Sequence, residues 1–157
     1  MSYCNELNIS VTPDKNYEGI FDIIYNYNWY RPLENYLKGY GSFENVISAI
    51  ESDSIKDSKS LCRANALENH DTERIASLVE SENQLLELMN FAYKLEGNIF
   101  IYAGQEYGIS HRPNLFEKDP IDWSNKNLKI YDELVRLIQN HKKIAWLVIC
   151  FLLWTKS

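Results

Sequence analysis

Residues 98–103 read NIFIYA, a run that is apolar at every position after its first. A strand with alternating polar positions can leave one face in water, but a continuously apolar one must be covered on both faces. A sheet sandwiched between helices provides that cover, and βαβ units build it.

The rest of the chain reads as such units. Residues 19–30 (GIFDIIYNYNWY) are rich in β-branched and aromatic side chains, and their first part suits a short strand. Pro32 opens a stretch in which Leu33, Tyr36, Leu37, Phe43, Val46, Ile47 and Ile50 follow helical spacing, interrupted by Gly39 and Gly41. After a polar loop at 52–60, residues 61–67 are short and strand-like, and they end in Glu68, Asn69, His70 and Asp71. Residues 81–95 place Leu85, Leu88, Met89, Ala92 and Leu95 on one helical face, with Ser81 as N-cap and Gly97 as terminator. Residues 127–139 do the same with Leu128, Tyr131, Leu134, Val135 and Ile138. Strand, helix, strand, helix, strand, helix predicts an α/β fold with a parallel sheet.

Composition narrows the function classes. With 45% hydrophobic and 24% charged residues in 157, the chain is too apolar to be disordered, and its length suggests one domain. Twenty-two acidic against sixteen basic residues give a net charge of −6 with no basic run, so nucleic acid is not an expected partner. Cys4, Cys62 and Cys150 have no metal-ligand spacing and read as reduced thiols, which points to the cytoplasm. The first residues carry no basic or apolar leader pattern, so no signal peptide is expected, and the sequon at Asn8 reads as chance. Residues 144–154 (IAWLVICFLLW) are apolar throughout, yet a bilayer span takes roughly 18 residues or more. A segment buried in the fold or in a complete partner structure is expected there; a weak association with a membrane and a tail outside the fold stay open, a membrane partner being the less expected.

Two polar clusters follow directly on the second and third predicted strands, where parallel α/β folds gather functional groups. One is residues 68–74 (ENHDTER); the other is Gly104-Gln105-Glu106. A His beside an Asp suits a hydroxyl-rich ligand, because the imidazole donates while the carboxylate accepts. The plain alternative is structural: the Asp caps the next helix and the Glu braces neighbouring loops. Tyr102 and Tyr107 flank the second cluster and offer a stacking surface, although core packing explains them equally well.

Taken together, the clusters resemble the alpha-amylase family of glycoside hydrolases. Residues 66–77 (ALENHDTERIAS) resemble its seventh-strand signature and residues 99–108 (IFIYAGQEYG) its eighth strand. Residues 111–123 (HRPNLFEKDPIDW) resemble the following loop in a bacterial branch, and residues 21–30 (FDIIYNYNWY) the sixth-strand region. The resemblance runs from about residue 21 to 142 in the family's order.

What it implies is a fragment of a (β/α)8 TIM barrel, about three βα units over residues 1–143, followed by an apolar tail at 144–157. The family's retaining mechanism pairs a carboxylate nucleophile with a carboxylic acid about 5–5.5 Å away. A further Asp stabilises the distorted sugar, with a His on its hydroxyls. By position these last two are Asp71 and His70. Asn69 and Arg74 join His70 as substrate-binding residues, Gln105 and Glu106 are supporting, and neither metal nor cofactor is implied. Nucleophile and acid belong to the fourth and fifth strands, which have no counterpart here; Glu6 and Glu18 sit in no such motif. A whole barrel also takes about 250 residues. The expectation is a truncated glycosidase whose partner, in the complete enzyme, is an oligosaccharide or alpha-glucan, and which is inactive alone. Two alternatives stay open: a non-catalytic sugar- or partner-binding module, and one half of a split enzyme completed by a complementary barrel fragment. The tail fits a shifted reading frame as well as an authentic hydrophobic end.

Overall fold

The computed structural model describes residues 14–141 and 148–150. After a 3-10 turn (Asp14–Tyr17) come strand β1 (Ile23–Tyr25), helices α1 (Tyr27–Leu37) and α2 (Phe43–Glu51), and strand β2 (Cys62–Ala66). Helices α3 (Ile75–Leu78) and α4 (Glu82–Ala92) lead to strand β3 (Asn98–Tyr102) and a second 3-10 turn (Gln105–Tyr107). Helix α5 (Leu128–Asn140) and strand β4 (Val148–Cys150) complete the described chain. The sheet order is β1-β2-β3-β4. β1 runs parallel to β2, with Ile23 opposite Cys62 and Tyr25 opposite Ala64, and β3 runs parallel to β4, with Phe100 opposite Val148. Parallel neighbours need a crossover, and helices supply each one.

The expected α/β class and parallel strands are therefore what the chain forms. β4 was not expected. It lies inside the apolar run 144–154, and such a segment can extend a sheet because an open edge offers free N–H and C=O groups. The other residues of that run, along with Cys4, Glu6 and the sequon at Asn8, lie outside the described residues. No described helix is long and apolar enough to cross a membrane.

Two compact units divide at Ala64 and Asn65, within β2. In the first, Trp29, Tyr30, Leu33, Val46 and Ile55 are buried. α1 starts at Tyr27, ahead of Pro32, which corrects the expectation that the helix opens at the proline. Burial explains it: Trp29, Tyr30 and Leu33 share an inward face, and the Asn26 carbonyl accepts from the Trp29 and Tyr30 N–H groups at 3.2 and 2.9 Å. Pro32 costs only the one N–H that would have reached residue 28, near the helix start. Gly39, at φ +79°, turns the chain out of α1 in the left-handed conformation a glycine adopts freely. Beneath these helices Arg63 is almost fully buried. Its Nη2 donates to Asp53 Oδ1 and Asp14 Oδ2, both at 2.6 Å, and its Nη1 to the Tyr25 carbonyl at 3.0 Å. Burial alone would raise the Asp53 carboxyl; the Arg63 bonds outweigh it and hold the group below its ordinary value.

In the second unit, α4 is capped as expected: Ser81 Oγ accepts the Gln84 N–H at 3.2 Å, and Leu85, Leu88, Met89 and Ala92 are buried. The helix ends at Ala92, short of Leu95. α5 buries Ile130, Leu134 and Leu137, whereas Leu128 and Tyr131 of the expected face are exposed. Both faces pass through Leu134, so the sequence pattern allowed either arc, and packing selected the one rotated towards Leu137. Tyr131 instead stacks on Tyr107, ring centroids 5.4 Å apart and planes within 12°.

Candidate functional site

β2 delivers the chain at Ala66 into the loop 67–74. Asn69 shapes it: the Asn69 N–H donates to Thr72 Oγ1 at 2.8 Å, its carbonyl accepts the Thr72 N–H at 3.2 Å, and its Oδ1 accepts the Asp71 N–H at 2.8 Å. That is an Asx turn, in which the side chain stands in for a backbone acceptor. The turn carries two neighbouring side chains of different exposure. His70 is 46% exposed and Asp71 16%, with His70 Nε2 3.3 Å from Asp71 Oδ2. Asp71 Oδ2 has no hydrogen-bond partner among the described residues. A ring nitrogen and a neighbouring carboxylate oxygen can serve the donor and acceptor sides of a hydroxyl together.

Directly beneath lies a buried ion pair. Arg74 Nη1 donates to Glu68 Oε1 at 2.7 Å, and Glu68 Oε2 accepts the Ile75 N–H at 2.7 Å, both side chains being 1% exposed. Burial pushes the Glu68 carboxyl up to about 7; Arg74 and the Ile75 N–H work against that, and the charge of Glu106 adds to it. Arg74 reaches across to the other strand end, its Nε donating to the His111 carbonyl at 3.1 Å and its guanidinium lying 4.5 Å from the Tyr102 ring centroid. Gly104, at φ +94°, passes so close that a Cβ there would meet Arg74 Nη2 at 3.3 Å.

Two of the expected substrate-binding residues are buried. Asn69 and Arg74 are buried at 3% and 1%: the amide shapes the turn, and the guanidinium bonds Glu68 and the His111 carbonyl through Nη1 and Nε, while its Nη2 has no hydrogen-bond partner among the described residues. His70 is exposed, whereas Asp71 is largely buried beside it. The stacking surface expected of Tyr102 and Tyr107 changes too: Tyr102 is buried under Arg74, and Tyr107 packs between Tyr131 and the edge of Trp123.

The loop after β3 is braced as heavily. Gln105 is 2% exposed; its Oε1 accepts the Tyr102 N–H at 3.2 Å and its Nε2 donates to the Tyr93 hydroxyl. Burial and the Glu68 charge push that phenol well above its ordinary range. Glu106 Oε2 accepts the Gly104 N–H at 2.7 Å. Further along, Arg112 Nη1 donates to Glu73 Oε1 at 3.0 Å and Nη2 to the His70 carbonyl at 3.4 Å. The sequence reading gave Glu73, Tyr93 and Arg112 no role, although Glu73 lies in the 68–74 cluster and Arg112 in the 111–123 loop, because these contacts join residues far apart in the chain.

A cavity of about 340 Å³, lined by Tyr93, Leu95, Gly97, Leu137 and His141 among others, opens at the amino end of β3, away from His70 and Asp71. Among the described residues no group of three His, Cys, Asp or Glu could hold a metal ion.

The profile of the alpha-amylase catalytic domain matches residues 33–143, well over half of the chain. No curated protein sequence matches. Among solved structures, the chain is similar to a maltogenic alpha-amylase of Thermotoga neapolitana, with TM-score 0.67 and 22% identity over 78% of this chain and 29% of that one. It is equally similar to an alpha-amylase of Lactobacillus plantarum, with TM-score 0.67 and 22% identity over 87% of this chain and 34% of that one. The chain spans about a third of the length of the structures it matches.

Proposed function

Since the chain belongs to the alpha-amylase family, through part of its catalytic domain, we propose that it carries the sugar-stabilising end of an alpha-glucan site, on what would be strands six to eight of the barrel. Asp71 accepts from sugar hydroxyls and His70 donates to them, while Asn69, Arg74, Gln105 and Glu106 hold the two loops. The observation that carries this is the adjacent pair His70 and Asp71 after the carboxyl end of β2, with His70 exposed and Asp71 Oδ2 buried 3.3 Å from its ring, without a hydrogen-bond partner among the described residues.

In the complete enzyme such an Asp tightens on the sugar as the oxocarbenium-like transition state forms, a contribution of several kcal/mol in this chemistry. It neither attacks the anomeric carbon nor protonates the leaving oxygen. Those steps need two further carboxylates, and this chain offers none in a matching motif, so by itself it is inactive on alpha-glucosidic bonds. Calorimetry of maltose binding to the chain and to Asp71→Ala tests the assignment. Weak binding abolished by the substitution supports it. Micromolar or tighter binding that survives Asp71→Ala places the site elsewhere. Turnover of an aryl alpha-glucoside by the pure chain overturns the claim of inactivity, and turnover only after adding a fragment with strands one to five supports the split-enzyme alternative.

A further inference from the structure

Between the two loops of the candidate site lies a pair of charges that touches neither solvent nor, from its buried place, a ligand. Glu68 and Arg74 are each 1% exposed. Desolvating two ions is costly, and a buried pair is weak evidence for stability as such, since an apolar pair of similar volume often serves as well. What an apolar pair cannot do is form directed bonds.

The bonds here run to three separate pieces of chain. Glu68 holds the start of the His70 loop, and its second oxygen takes the first free N–H of α3, that of Ile75, at 2.7 Å. Arg74 joins Glu68 at 2.7 Å and the His111 carbonyl at 3.1 Å, with Gly104 leaving just enough room for Nη2. His70 and Asp71 are therefore held from both sides of their sequence, by Glu68 before and Arg74 after, and anchored to the loop that follows β3. The fork of a guanidinium is what lets one side chain reach both acceptors; an ammonium is a single point.

The structure assigns Glu68 and Arg74 as a positioning pair that sets His70 and Asp71 for a sugar hydroxyl, a role that rests on the sugar-site reading above. It contacts no ligand itself and acts through the turn it closes. Removing either member frees the same turn, so the two losses are not additive.

The test uses the full chain with Glu68→Gln, Arg74→Lys and the double variant, with exposed Glu82→Gln as control. Two readouts are needed: maltose affinity by calorimetry, and the ring-nitrogen and carboxyl NMR signals of His70 and Asp71. The expected result is a loss of affinity of roughly tenfold, of the order that losing an orienting partner costs elsewhere, equal in the singles and the double, with moved His70 and Asp71 signals. Unmoved signals in folded variants overturn the positioning role, as does a double variant that loses the product of the single losses. If the native chain binds no maltose, the sugar-site reading fails and the NMR signals alone decide the positioning. If even Arg74→Lys leaves the chain unfolded, the pair is purely structural and the assignment is wrong.

Discussion

Glu68 makes the stability of this protein depend on pH in a direction opposite to that of most paired carboxylates. Its folded value is pushed up from the ordinary 4.5 to about 7, with desolvation the largest cause. A carboxyl raised on folding binds its proton more tightly in the folded chain than in the unfolded one. The resulting stability is complete below the unfolded value and is lost as pH rises through the folded one. The window is therefore about pH 4.5 to 7. At about 1.4 kcal/mol per pH unit, the span amounts to roughly 3 kcal/mol. Glu68→Gln keeps the shape and removes the titration. Urea denaturation of both proteins at half-unit steps from pH 4.5 to 8 gives the difference in unfolding free energy, which cancels every other titrating group common to the two. The native chain should lose about 3 kcal/mol relative to the variant over that range. A difference that stays flat, or that moves in favour of the native chain as pH rises, means that Arg74 outweighs desolvation and the reasoning fails.

Gly104→Ala forces a left-handed φ of +94° on a residue with a Cβ and drives that carbon to 3.3 Å from Arg74 Nη2; a loss of about 1–2 kcal/mol is expected from the backbone alone, read by thermal or urea denaturation. Arg63→Met leaves Asp53 and Asp14 without their buried partner, and should cost about 3–5 kcal/mol; a change under 1 kcal/mol by the same assay would show that water reaches those carboxylates. Ser81→Ala removes the one side-chain bond to the α4 N-terminus, a loss of about 1 kcal/mol, whereas Ser81→Asn should be close to neutral. Met89→Ala empties a fully buried site and should cost about 2–5 kcal/mol, measurable as a lower denaturation midpoint.

The sequence by itself determined the first three strands and that helices connect them, though not β4, because those elements are written in local periods. NIFIYA is apolar at every position after its first, 81–95 repeats on a helical face behind a Ser cap, and short-range propensity needs no distant partner to act. It also marked where the polar clusters fall, since ENHDTER and GQE follow directly on strands. Tertiary structure alone decided which side chains of those clusters are bound up with protein partners. Asn69 and Arg74 have the same polar, ligand-capable look in sequence as His70 and Asp71, but the first closes a turn and the second finds Glu68 and the His111 carbonyl. It decided the rotation of α5 as well, choosing Ile130 and Leu137 over Leu128 and Tyr131, and it placed Arg112 on the His70 carbonyl from 42 residues away. These choices depend on what lies across the fold, and a local pattern carries no term for a partner distant in the chain.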